Sequence, residues 1–173
     1  MAPESTAAPA TPPGPSASDL ALLAEVATTL ADGVDAALPG WVQRSVDRVW
    51  RAQRGAAPPA EVTAAAAAAA AEAAAQVCPR VRALLALDID EQRTNPLSLV
   101  RPATRFPTGV LAGFGVEPVV RDAQAVRQFP DDPYDLTPMS FADLDPELLE
   151  AGIVWGAAKA HVHLARRRAE GRR

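Results

Sequence analysis

One cysteine (Cys78), one lysine (Lys159), one tyrosine (Tyr134) and two histidines are all that 173 residues contain of those types. A lone cysteine excludes an internal disulfide framework. His161 and His163, at i and i+2, point about 200° apart on a regular helix and cannot share one metal ion. No metal site is expected from them. The aspartates of the 131–135 loop are the remaining metal candidates, but aspartate in tight, proline-containing turns ordinarily serves turns and caps. No run of about 18 strongly apolar residues is present, so neither a membrane span nor a membrane partner is expected. The net charge of −4 gives no global pull toward nucleic acid or an anionic bilayer.

Catalytic signatures are missing too. There is no Gly-x-Ser-x-Gly, no P-loop and no metal-spaced Cys/His set. Gly113-Phe114-Gly115 begins like a dinucleotide loop, but Pro118 stands where the third glycine belongs and no clear strand precedes it. No cofactor is expected. The opening MAPESTAAPATPPGPSAS has neither a basic stretch nor an apolar centre, so it does not read as a secretory signal. The bacterial cytoplasm is the expected compartment.

Alanine, proline and arginine are abundant. Such a composition is typical of a GC-rich genome and carries no functional weight by itself. The length suits one domain burying about 70% of its unfolded surface. Residues 1–17 hold almost no bulky apolar side chain and are expected to be disordered. Residues 18–165 are expected to form a single helical domain, with 166–173 as a basic tail.

Ser18 or Asp19 would cap a first amphipathic helix whose inner face is Leu20, Leu23, Val26, Ala27, Leu30, Val34 and Leu38. Pro39-Gly40 is expected to break it, with a second helix over 41–54 carrying Val42, Val46, Val49 and Trp50 inside. Arg44, Arg48 and Arg51 share that helix's other side beside Asp47, a pattern suited to a solvated face or a phosphate contact. After a loop at 55–59, an alanine-rich helix over 60–77 presents a nearly smooth surface that neighbours can approach closely. Cys78-Pro79 is expected to stop it and start another helix over 80–87. Arginines near Cys78 are compatible with a lowered thiol pKa, against the plainer reading of a small half-buried junction residue. Leu84 occupies the place an arginine would need in a phosphate-binding Cys-x₅-Arg loop.

The stretch 95–138 is different. It holds seven of the 17 prolines, three of the four phenylalanines and the tyrosine, with Phe141 just beyond. A path so punctuated by proline and glycine is expected to wrap around the helices and shape a surface. Short helices are expected over 95–101 and 104–114, the latter closed by Gly115. Residues 116–120 are expected either extended or as the beginning of a helix reaching Gln128. Ser140 and Asp143 have capping-box spacing, and Asp145-Pro146 opens a last helix over 147–168.

Candidate residues fall into four groups. On the last helix, Gly152, Gly156 and Ala160 form a small-residue track expected to pack closely, within a buried arc that also takes in Leu148, Leu149, Ile153, Trp155, Lys159 and His163. Glu147, Glu150 and His161 form the polar strip. A buried Lys159 must be paired or lose its charge, so Asp131, Asp132, Tyr134 and Asp135 are expected to meet Lys159 and His163 in a polar site or a structural clamp. Arg101, Arg105, Arg121 and Arg127 are candidate anion-binding residues or members of internal salt bridges. Arg166, Arg167, Arg168, Arg172 and Arg173 either complement a helix dipole or contact nucleic acid weakly.

The fold expectation is an all-α, irregular bundle of about five to seven helices with a Pro/Gly/aromatic-rich wrapping segment. The function expected first is a non-catalytic interaction or accessory protein whose partner is another protein. A small enzyme or ligand binder at the 131–135 loop, and a nucleic-acid-associated protein using the arginine-rich end, are the alternatives.

Overall fold

A computed structural model describes residues 13–87, 98 and 100–171. Among them all regular structure is helical, and no helix is long and apolar enough to cross a membrane. Residues 1–12 of the tail expected over 1–17, most of the expected short helix over 95–101, and Arg172 and Arg173 lie outside the described residues, while Ser16 and Ala17 of that tail belong to the start of the first helix.

Helix α1 (Ala17–Arg54) starts two residues earlier than expected. Ser16 caps it: its hydroxyl accepts the Asp19 N–H at 3.1 Å, and the Asp19 carboxylate accepts the Ser16 N–H at 2.9 Å. The Ser16 hydroxyl, donating to the same carboxylate at 2.7 Å, and then the Ser16 N–H hold the Asp19 carboxyl below its ordinary pKa. Gly55, at φ 68°, closes the helix. The break at Pro39-Gly40 does not occur, because α1 runs straight through it. An interior proline costs about 3 kcal/mol. Leu38, Trp41 and Val42 flank it on the buried stripe at 0, 5 and 0% exposure, each worth about 1.5–3 kcal/mol. Keeping one helix keeps all three in the core, so burial outweighs the lost hydrogen bond.

Helix α2 (Ala60–Ala86) corrects the second expected break in the same way, since Val77, Cys78, Val81 and Leu85 on both sides of Pro79 share the core. The two helices form an antiparallel hairpin. Arg82 of α2 donates to Asp32 at 2.7 Å and to Asp35 at 2.5 Å, both in mid-α1. The alanine tract takes on meaning here. Ala66, Ala70 and Ala73 are buried in the same cluster as the larger Leu38, Trp41 and Val42, while Ala64, Ala67, Ala68 and Ala71 face solvent. Small side chains on one helix make room for large ones on the other.

A 3₁₀ turn (Arg101–Thr104) leads into α3 (Arg105–Gly113), which buries Phe106, Pro107 and Leu111. Gly115, at φ 66°, turns the chain as expected. Arg54 and Gln53 then hold the carbonyls of Gly115 and Glu117 at 3.0 and 2.6 Å, tying this turn to the end of α1. Residues 116–122 have no helix, and α4 (Ala123–Gln128) begins at the Asp122 cap. Ser140 and Asp143 form the expected capping box around a 3₁₀ turn (Phe141–Asp143).

Helix α5 (Leu148–Glu170) lies antiparallel on α1. Leu148 packs at Gly33 and His161 reaches Asp19 at 3.4 Å. Arg166, Arg167 and Arg168 are therefore helical residues of α5.

Candidate functional site: the outer face of the last helix

The polar residues singled out in the sequence do not converge. Asp132 is 3% exposed, and its carboxylate accepts the Leu136 N–H at 2.8 Å, the Thr137 N–H at 2.6 Å and the Thr137 hydroxyl at 2.7 Å. Its acceptor capacity is spent on its own loop. Tyr134 is buried, with its hydroxyl donating to the Val116 carbonyl at 2.7 Å. Burial, and then the nearby Glu117 charge, raise its pKa. Asp135 is exposed at φ 57°, and Asp131 is exposed. The loop is locked by its own hydrogen bonds.

Lys159 does not pair with this loop among the described residues. Its ammonium sits 5.0 Å from the Trp155 ring centroid, one turn back on the same helix, and desolvation lowers its pKa. A cation held over an indole face is satisfied without a carboxylate. Lys159 and His163 are half-buried at the flank of α5 rather than enclosed.

The arginine group divides. Arg101 and Arg105 line a recess of ≈ 310 Å³ with Asp131 and Asp132, which Arg121 and Arg127 do not reach. Arg101 stacks over Phe129, Arg105 stacks over Phe106 and donates to Gln76, and Arg121 donates to the Phe129 carbonyl at 2.9 Å. Arg127 is exposed on α4. Arg101 and Arg121 thus hold the segment to itself, and Arg105 ties it to α2.

A larger cleft of ≈ 600 Å³ opens between α1, the start of α2 and Asp143, lined by Trp41, Arg44 and Arg48 among others. Arg44 donates to the Leu144 carbonyl at 2.6 Å, Asp47 pairs with Arg51 at 2.8 Å, and Asp143 accepts the Met139 and Ser140 N–H groups. Most of its polar rim is thus committed to the fold. Cys78 is buried against Asp35. Burial first, and the thiol's hydrogen bond to Asp35 second, push its pKa up to about 12. The thiolate needed for nucleophilic chemistry is suppressed. No group of three or more His, Cys, Asp or Glu among the described residues is placed to hold a metal ion.

What remains open is α5 itself. Its buried side is Leu148, Trp155 and Val162, with Phe141 edge-on to Trp155 at 6.4 Å and its Cδ2 3.1 Å from where a Gly152 Cβ would stand. Gly152 is therefore closely packed. Gly156 and Ala160 are not. A Cβ on Gly156 would meet nothing within 4 Å, and Ala160 is exposed. Leu149 and Ile153, expected inside, are 52% and 62% exposed, and Leu164 is 51% exposed. At 100° per residue Leu149, Ile153, Gly156, Ala157, Ala160 and Leu164 fall within an arc of about 100°. The last helix has a second apolar face, and it points outward.

Nothing in the helix alone distinguishes the two faces. α5 is apolar over most of its circumference, and the inner side is decided by Phe141 and α1, which are contacts distant in sequence. The spacing of Leu149, Ile153, Ala157 and Leu164 shows an apolar line about four turns long but not which way it faces. No family model, no curated protein and no solved structure matches the chain.

Proposed function

We propose that this chain is a non-catalytic interaction protein of the bacterial cytoplasm, and that the outer face of α5 is the surface it presents to a partner helix. One observation carries the reading: Leu149, Ile153 and Leu164 are each about half or more exposed along one line, with small residues between them. Exposing apolar side chains singly is ordinary, but an aligned set flanked by charge marks an interaction surface. Gly156, Ala157 and Ala160 leave the middle of that line low, so a partner helix could approach closely. The rest of the chain acts as a mount. In this reading the proline- and aromatic-rich segment wraps the α1–α2 hairpin and, through Phe141, fixes α5 with its second face outward. The committed hydrogen bonds of Asp132, Arg44 and Asp143 support a structural role for the polar residues.

A photoactivatable benzophenone side chain placed at Ile153 tests this in the living source cell, with the same substitution at exposed Arg127 as control. A discrete adduct is expected from position 153 and none from 127. No adduct at 153, or equal adducts at both positions, would overturn the reading.

A further inference from the structure

We infer that the partner is a second copy of this chain, docked antiparallel with α5 against α5 across a twofold axis; this rests on the reading of α5 as the interaction face. The open face reads alike in both directions. Reversing the helix about the point between Gly156 and Ala157 places Leu149 on Leu164, Ile153 on Ala160 and Gly156 on Ala157. In a twofold pair the same patch is used on both subunits, so a residue's contact must be answered by its mirror. Each large side chain then has an apolar counterpart: Leu149 meets Leu164 at both ends, and Ile153 enters the space above Ala160. The two smallest residues fall at the crossing, where helices packed about 8–10 Å apart have least room.

Charge points to the same arrangement. Glu147 at the N-cap of α5 and Glu150 in its first turn are exposed, and so are Arg167 and Arg168 in its last turn. None of the four forms an ion pair within the described residues. The antiparallel register brings the acidic end of one copy beside the basic end of the other, twice by symmetry. A parallel pair would set glutamate against glutamate and arginine against arginine. Complementary ends of this kind select orientation more than they add affinity, so the apolar line supplies attachment and the ends supply direction.

Light scattering and sedimentation equilibrium on the full chain test the inference. The native chain should show a reversible monomer–dimer equilibrium at concentrations up to about 100 μM, the range a weak helix pair needs. Ile153→Glu should weaken it at least about 100-fold, since the change enters the interface twice and each entry costs about tenfold. Leu164→Glu, at the other end, should do the same, and at concentrations where the native chain is monomeric both variants should keep its melting temperature, because both sites are exposed. The decisive pair is Glu147→Arg with Glu150→Arg in one protein and Arg167→Glu with Arg168→Glu in another. Each alone should be monomeric, and an equimolar mixture should form one-to-one heterodimers. A native chain that stays monomeric overturns the second-copy inference, while a photo-adduct to a different protein at position 153 would leave the α5 reading standing. A dimer that survives Ile153→Glu and Leu164→Glu, or swapped variants that fail to pair when mixed, overturns it equally.

Discussion

Two tracks of small residues run through this molecule, and they meet opposite fates. Ala66, Ala70 and Ala73 on α2 are 4, 1 and 0% exposed beneath the large side chains of α1. On α5 the track divides: Gly152 is covered by Phe141, whereas half-buried Gly156 has open space where a Cβ would stand and Ala160 is exposed. As helix sequence the two are close relatives. The difference lies in what is set opposite them, which is a long antiparallel helix in one case and, past Gly152, no side chain among the described residues in the other. A small-residue track states that something can come close. It does not state that this chain provides it.

The sharpest way to break that comparison is thiol reactivity. Cys78 lies on the covered side with its pKa pushed up to about 12. An ordinary thiol titrates near 8.5, so at neutral pH Cys78 should react about three thousandfold more slowly than a cysteine introduced by Ala160→Cys on the open track. Equal rates under native conditions would mean the hairpin is not closed. The same group has a pH consequence. A thiol whose folded pKa exceeds its unfolded one leaves stability intact below about pH 9 and subtracts from it as pH rises toward 12. Denaturant titrations should therefore show a less steep alkaline loss in Cys78→Ala than in the native chain.

A polar version contrasts Asp132 with its neighbours. Asp132→Ala should cost about 3 kcal/mol, because it strands the N–H groups of Leu136 and Thr137 that its carboxylate now accepts. Asp131→Ala, on an exposed residue of the same loop, should stay within about 0.5 kcal/mol. Similar urea midpoints for the two variants would return the loop to candidacy as a site.

Next comes overpacking. Ala70→Leu should destabilise by about 1–3 kcal/mol, since the interior has no room for three more carbons. Ala160→Leu, measured at monomer concentrations, should change stability by less than about 0.5 kcal/mol. The smallest effects separate the two glycines. Gly156→Ala should stabilise by up to about 1 kcal/mol through helix propensity alone. Gly152→Ala should forfeit that gain, because its Cβ would stand 3.1 Å from a Phe141 ring already held edge-on by Trp155. A Gly156→Ala variant no more stable than the native chain would place a neighbour over the open track.

These contrasts also mark what the sequence makes legible. Local chemistry reads correctly: the Ser140–Asp143 box, the turn at Gly115, and the inner positions of α1 from Ala27 to Leu38 all follow from spacing and backbone preference. Pro39 and Pro79 mislead because their local cost is real but smaller than the burial that a continuous helix preserves on either side. The 131–135 loop suggested chemistry because three aspartates and a tyrosine stand close together in sequence. The bond that Asp132 accepts from the Leu136 N–H four residues on, and the one that Tyr134 donates to the Val116 carbonyl 18 residues back, consume that potential. The inward side of α5 is set by Phe141 and by Gly33 of α1, and neither is visible from the helix's own periodicity.

Directed disulfide formation gives the most direct test of the central claim that the open face of α5 is answered by its own copy. In a Cys78→Ala background, Ala157→Cys lies almost on the proposed twofold axis and should form a covalent dimer readily under mild oxidation. Leu164→Cys alone should not, because the two copies of that position lie about 22 Å apart along antiparallel helices rising 1.5 Å per residue. Mixing Leu149→Cys with Leu164→Cys should restore the cross-link. A Leu164→Cys protein that links to itself, or an Ala157→Cys protein that stays monomeric, would contradict the account.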